Sequence, residues 1–259
     1  MELQNKIALI TGAGSGIGAA TALVLAGAGA DVIVVSRTAS EIEKIAAQIE
    51  AMGRNVLAVA ADVADEKQMT NLFRRIGRRF GRLDFVLANA GVNGVWAPID
   101  ELKPKEWDET IRINLRGTYL TAHLAVPLMK KAGGSIAITS SINGTRVFTT
   151  AGSSAYSTTK AGQLALGQML ALELARYKIR VNVICPGAID TEIGDNTKKR
   201  ATARAKVPAS FARGTVPLTR GKPGTVQQVA ELALFLASDR SSHISGTPIW
   251  IDGAQSLLV

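Results

Sequence analysis

Cysteine and histidine are scarce: the 259-residue chain has one cysteine, Cys185, and two histidines, His123 and His243. A lone cysteine closes no internal disulfide and builds no multi-cysteine zinc site, so it reads as a small buried apolar side chain and points only weakly to a reducing compartment. The histidines lie far apart, without an acid or cysteine at ligand spacing, and no metal is expected. A membrane-length apolar run is also missing. The longest candidate, Ala19 to Val35, is broken by Gly27, Gly29 and Asp31 and reads as helix, turn and strand. The opening MELQNKIALITG lacks a basic segment followed by an apolar run and cleavage site, so no secretory signal is expected and a cytoplasmic location follows. There is no GxSxG elbow, HExxH or Walker lysine, which leaves hydrolase, zincin and P-loop chemistry without support.

What is present is a core-forming composition: 47% hydrophobic residues, 20% charged, and a mean hydropathy of +0.16, enough for a globular fold and against a disordered one. The net charge of +9 is concentrated. Lys198 to Lys222 carries eight basic residues and no acid, and Lys67 to Arg82 carries six and no acid, so the remainder is mildly acidic. Two basic blocks raise the question of nucleic acid. Phe73, Phe80 and Phe211 lie in them without regular aromatic interleaving, and Lys67 to Arg82 reads as a helix with a solvated basic face, so a nucleotide-sensing or nucleic-acid-binding module stays a minor alternative.

Short Val- and Ile-rich runs alternate with segments of helical period, the pattern of repeated βα units around a parallel sheet. Strands are expected near Lys6–Thr11, Asp31–Ser36, Val56–Ala60, Leu83–Ala88, Ser135–Ser140, Arg180–Ile184 and Thr247–Ile251, with helices between them. Thr38 and Ser40 offer N-caps for the run EIEKIAAQIEAMG. The fold class is therefore α/β: a single doubly wound Rossmann-type domain over residues 1–259 with a seven-stranded, predominantly parallel sheet. Residues 190–222 form one long excursion ahead of the last helix, positioned as a substrate lid.

The first strand runs into GAGSGIG and then a helix. Glycines at such a turn let backbone amides approach a pyrophosphate held at a helix N-terminus, which makes Gly12, Gly16 and Gly18 candidates, with Ser15 and Ile17 in the same turn and Gly14 merely permissive. Residues ending the second strand read the adenosine ribose. That strand ends Val35, Ser36, Arg37, without an acid to repel a 2′-phosphate. A charge-assisted bond from Arg37, about 1.5 to 3 kcal/mol, would favour NADP(H) over NAD(H) by about tenfold to a hundredfold; the bland alternative is an exposed arginine ending a strand. Asp62 and Val63 follow the third strand, where Asp62 either fixes the adenine amino group or caps the next helix.

Tyr156 and Lys160 in YSTTK lie four apart on a helix, on one face, where an ammonium depresses a phenol pKa. They follow the strand SIAITSS, which ends in Ser140 and Ser141 at the sheet edge where ligands bind in open α/β folds. With TGAGSGIG, Asp62-Val63, ANAG (88–91), Asn114 in RINLRG, Ser141, YSTTK, PGAIDT (186–191) and a late IDG, the sequence resembles the short-chain dehydrogenase/reductase family over essentially its full length. The resemblance implies that Ser141 bonds the substrate oxygen and that Tyr156 transfers its proton. It further implies that Lys160 holds the nicotinamide ribose and lowers the tyrosine pKa, while Asn114 anchors a proton-relay water. It assigns Asn89, Ala90 and Gly91 to cofactor support, together with Pro186 and Gly187, and Ile189 and Thr191 to the carboxamide end.

Three departures from the common family pattern stand out. Ala88 replaces a frequent asparagine, Ser15 stands where NADP-preferring members are often basic, and the Ser141–Tyr156 spacing is slightly long, leaving Asn143 as a less favoured substitute for Ser141. Substrate contacts are sought among Val92, Trp96, Asn143, Arg146, Phe148, Ile193 and Phe211, each of which also reads as a packing residue. The apolar members suit a hydrophobic or alicyclic ketone; Arg146 and the basic excursion admit an anionic one. The expected activity is NADP(H)-dependent transfer of a hydride between nicotinamide and a carbonyl or secondary alcohol, a carbonyl reductase in its simplest form. The alternatives are a 3-oxoacyl thioester reductase and an NAD-preferring alcohol or polyol dehydrogenase. The family also implies a homo-oligomer, often a tetramer, paired through helices around 118–131 and 154–177.

Overall fold

In the computed structural model, which describes residues 1–208 and 215–258, short apolar runs form the strands and the longer segments between them the helices. In chain order these are β1 (Ile7–Thr11), α1 (Gly16–Gly27), β2 (Asp31–Ser36), α2 (Ala39–Ala51), β3 (Val56–Ala60), α3 (Glu66–Phe80), β4 (Phe85–Ala88), β5 (Gly94–Trp96) and α4 (Pro104–Ile111). A π-helical turn at Arg112–Arg116 leads into α5 (Gly117–Met129), followed by β6 (Gly134–Thr139), α6 (Ser154–Leu174), β7 (Ile179–Pro186), β8 (Thr197–Lys199), α7 (Val226–Ala237) and β9 (Pro248–Ile251). Seven strands pair in parallel in the order β3-β2-β1-β4-β6-β7-β9. The order reverses between β1 and β4, which opens a crevice at their carboxyl ends.

Alternate strand residues feed opposite faces of this sheet. Ile33 and Val35 pack on the side of Met69, Leu72 and Ile76 from α3, while Val32 and Val34 pack on the side of Leu25, Ile42 and Ile49 from α1 and α2. Each such fully buried aliphatic side chain contributes about 1.5–3 kcal/mol. Cys185 is buried in the first of these layers, and burial pushes its thiol up to about 11.

Helix α3 shows how the basic block is accommodated. Met69, Leu72, Phe73 and Ile76 line its inner stripe, Asp65 caps it by accepting from the Gln68 amide at 3.0 Å, and Gly81 ends it at φ 71°. Arg74, Arg75, Arg78 and Arg79 are left on the outer face. Asp65 is therefore the cap that Asp62 was considered for. Thr38 occupies the N-cap position of α2 but makes no side-chain cap bond, and Ser40 lies inside the helix, so neither caps it as expected.

One element has no counterpart in the sequence expectations. Part of the 190–222 excursion pairs with the chain after β4: β8 lies parallel to β5, Gly94 opposite Thr197 and Trp96 opposite Lys199. Arg200 clamps Glu106 at 2.8 and 3.0 Å and also bonds the Glu101 carbonyl, while Arg204 pairs with Asp100 and Glu101. These bonds pull the Glu106 carboxyl down to about 2. Part of the basic excursion is thus neutralised by the acids of 100–106. Among the described residues no helix is long and apolar enough to cross a membrane.

Candidate active site

A cleft of about 480 Å³ runs along the carboxyl ends of the strands, from the glycine turn after β1 to the start of α6. Gly12 turns at φ +67°, and a Cβ there would stand 2.8 Å from the Ala90 Cα. Gly18 faces away from the cleft; a Cβ on it would fall on the Gly12 carbonyl, so it sets how closely α1 sits under the turn and, contrary to expectation, does not line the cleft. Asn89 closes this end by donating through Nδ2 to the Thr11 and Gly12 carbonyls at 3.2 and 3.3 Å, while the Asn89 and Ala90 amides donate to Thr11 Oγ1.

Gly12, Ser15, Gly16, Ile17, Arg37, Asp62, Val63, Asn89, Ala90, Gly91, Pro186, Gly187, Ile189 and Thr191 all line the cleft, as the sequence reading anticipated. Asp62 accepts from the Ala64 amide at 2.9 Å and from Arg112 Nη1 at 2.9 Å. Lining residues that were given no site role from the sequence include Gly14, Thr38, Glu41 and Glu192. Glu41 is the consequential one, because it places an acid at the end of β2 where none was anticipated. It stands five positions beyond the strand and reaches the turn only because α2 folds back over it.

At the inner end, Ser141, Tyr156 and Lys160 are 7%, 7% and 4% exposed and all border the cleft. The Ser141 hydroxyl accepts from the Asn143 amide at 3.1 Å and borders the same inner end of the cleft as the Tyr156 ring. Lys160 Nζ donates to the Thr139 carbonyl at 2.9 Å and lies 5.4 Å from the centre of the Tyr156 ring. Burial pushes the phenol up, opposed by the Ser141 hydroxyl, and pushes the ammonium down to about 8. The anticipated lowering of the Tyr156 pKa by Lys160 is therefore not what this geometry produces: desolvation of the phenolate dominates.

Asn114 sits in the π-helical turn, fully buried and outside the cleft lining. Its Oδ1 accepts from the Val92 amide at 2.8 Å, and its Nδ2 donates to the Val92 carbonyl at 2.9 Å and to Thr159 Oγ1 at 3.1 Å. Its own carbonyl accepts from Thr118 and Gln163. It fixes the chain that follows Gly91 against α6.

The substrate-side expectations divide. Val92 and Ile193 line the cleft. Trp96, Asn143, Arg146 and Phe148 do not. Trp96 is committed to β5, with its Nε1 donating to the Asn93 carbonyl and Lys199 over its ring. Asn143 accepts from Thr150 at 3.0 Å. Arg146 stacks 3.5 Å above the Trp250 ring, and Phe148 is 74% exposed on the surface. Phe211 lies outside the described residues. No group of three or more metal-ligating side chains occurs among the described residues.

A crevice at the switch point of a parallel sheet, opened by a glycine turn and closed by buried proton-carrying side chains, defines a dinucleotide-binding α/β enzyme. A family model described as enoyl-(acyl carrier protein) reductase matches residues 12–254. The chain is 34% identical to the 3-oxoacyl-(acyl-carrier-protein) reductase of Thermotoga maritima, covering 98% of each, and 35% identical to the levodione reductase of Leifsonia aquatica, covering 97% of this chain and 94% of that protein. A solved 3-ketoacyl-ACP reductase from Sinorhizobium meliloti 1021 superposes with a TM-score of 0.94 at 56% identity, covering 98% and 100% of the two chains. A 3-ketoacyl-(acyl-carrier-protein) reductase from Brucella melitensis complexed with NADH matches at 30% identity and TM-score 0.86, covering 98% and 99%. A short chain dehydrogenase from Burkholderia cenocepacia J2315 in complex with NADP matches at 33% and 0.85, covering 98% of each. The chain belongs to the short-chain dehydrogenase/reductase family. It is an NAD(P)-dependent oxidoreductase acting on CH–OH groups.

Proposed function

We propose that this enzyme reduces a ketone carbonyl, with Tyr156 as the proton donor, and that its substrate is a 3-oxoacyl thioester. The single observation that carries the reading is the burial of Ser141, Tyr156 and Lys160 together at the inner end of a cleft whose outer end is the glycine turn. The cleft fits an extended dinucleotide, since the turn at Gly12 has no room for a side chain and the turn lines the cleft at the N-terminus of α1, where a pyrophosphate would be held. When bound, the nicotinamide exchanges a hydride with the carbonyl carbon.

The protein's own groups then act as follows. The Ser141 hydroxyl donates to the carbonyl oxygen, and the Tyr156 hydroxyl delivers its proton to that oxygen. Because burial raises the phenol, Tyr156 stays protonated at neutral pH, which suits the reductive direction. Lys160 sits between Thr139 and Gly91, where its ammonium meets the ribose of the nicotinamide half. Asn114 holds the Val92 backbone that follows Gly91, and the family pattern assigns it the relay water. The family pattern supports these roles, and residues 190–222 act as the substrate lid within a single domain.

The thioester reading is supported by the Sinorhizobium structure at 56% identity and the Thermotoga relative. A second reading, an alicyclic ketone, is favoured by the likeness to levodione reductase and by Val92 and Ile193 at the mouth. A preference for NADP(H) rests on Arg37 alone. The cell compartment is the cytoplasm, and the assembly a homotetramer, testable by light scattering. The deciding experiment is a spectrophotometric screen of acetoacetyl thioesters and cyclic ketones against NADPH and NADH. Turnover of the thioester at the higher kcat/KM supports the proposal. Exclusive turnover of cyclic ketones replaces the first reading with the second, and full activity of Tyr156→Phe overturns the mechanism.

A further inference from the structure

The outer end of the cleft holds an acid in an unusual posture. Glu41 is the third residue of α2, where a glutamate ordinarily folds back onto its own N-cap amide. Here its Oε2 instead accepts from the Ser36 hydroxyl at 3.2 Å, and that hydroxyl in turn accepts from the Thr38 amide at 3.4 Å. A Cβ placed on Gly14 would fall on the Glu41 carboxylate and stand 2.9 Å from Ser36 Oγ. Gly14 has an ordinary φ, so what its missing side chain provides is room for that carboxylate against the phosphate-binding turn.

The neighbouring charges are already distributed. Arg112 is committed to Glu109 at 2.7 and 2.8 Å and to Asp62 at 2.9 Å. The Arg37 charge reaches this cluster too and, behind Arg112, helps hold the Glu109 carboxyl down. Among the described residues no ion pair joins Arg37 to Glu41. Two guanidiniums and three carboxylates therefore surround the subsite, and Arg37 and Glu41 are the two facing the cleft without an ionic partner.

We propose that Glu41 is a specificity-determining residue that opposes Arg37 at the adenosine ribose, so that the enzyme takes both NAD(H) and NADP(H). The inference rests on the dinucleotide reading of the cleft. A carboxylate accepts from ribose hydroxyls and repels a 2′-phosphate, whereas a guanidinium gains more from the ionised phosphate than from a neutral hydroxyl. With both present at one subsite the two preferences offset. This revises the preference for NADP(H) drawn from Arg37 alone.

Fluorescence titration of the purified enzyme with NADH and with NADPH tests this without any substrate. The wild-type dissociation constants are expected to lie within about tenfold of each other. Glu41→Gln, which keeps the shape and removes the charge, is expected to shift the affinity ratio toward NADPH by about tenfold or more, and Arg37→Gln to shift it toward NADH by a similar factor. A ratio unchanged in Glu41→Gln, or moved toward NADH, overturns the proposal, as does a wild-type preference above about a hundredfold for either cofactor. Failure of the wild-type chain to bind either cofactor overturns the functional reading instead. Matching circular dichroism and Tm of the variants separates charge from folding.

Discussion

At the inner end of the cleft, Ser141, Tyr156 and Lys160 are buried, whereas at the outer end Arg37 is exposed and Glu41 half-buried. The inner groups are held by packing and, for Ser141 and Lys160, by bonds to backbone atoms, so what they offer is position and a proton at a defined place. The outer groups act by charge and leave room for choice. Changes inside should therefore cost turnover, and changes outside should redirect affinity.

The strongest test of that division is Tyr156→Phe. Loss of the proton donor should lower kcat by about 10²–10⁴-fold while the dissociation constants of both cofactors stay unchanged. An equal loss in cofactor affinity would break the comparison. Next in size is Gly18→Ala, which drives a methyl into the Gly12 carbonyl. Strain of about 1–3 kcal/mol should lower the denaturation midpoint and weaken NADH and NADPH together, without changing their ratio. A smaller, graded effect comes from pH. Lys160 titrates near 8, so in the reductive direction kcat/KM should fall about tenfold per pH unit above that value as the ammonium loses its proton. Lys160→Arg should move the break upward.

The smallest effect belongs to the excursion. Glu106→Gln removes the carboxylate held by Arg200, and Tm should drop by less than about 4 °C. Trypsin cleavage at Lys198, Lys199 and Arg204 should nevertheless rise clearly. The Glu106 carboxyl lies below its usual value, so this anchor is intact above pH 4.5 and is lost as pH falls toward 2. Unchanged proteolysis in the variant would mean that the β5–β8 pairing holds the excursion by itself.

Most of the fold was readable because seven strands carry a strong apolar pattern and glycines punctuate the turns. Every expected strand formed, with ends shifted by at most two residues. The β5–β8 pair was not readable: three-residue strands such as GVW and TKK show no periodicity, and their partner lies about a hundred residues away. Most of the cleft-lining residues carried local signals; Glu41 did not. Its position in α2 reads as an ordinary first-turn acid, and only the packing of α2 over the glycine turn brings it to Gly14. Trp96, Arg146 and Phe148 stand outside the cleft lining for a related reason. They lie on loops of the correct face, but β5, the Trp250 ring and solvent claim them.

The sequence alone determined the strand succession, the glycine turn and the Tyr156–Lys160 pair, because each depends on neighbours within a few positions. Only the tertiary structure decided the balance of charge at the adenosine end and the pKa directions inside the cleft. Both depend on which side chains, distant along the chain, share one desolvated or half-screened space.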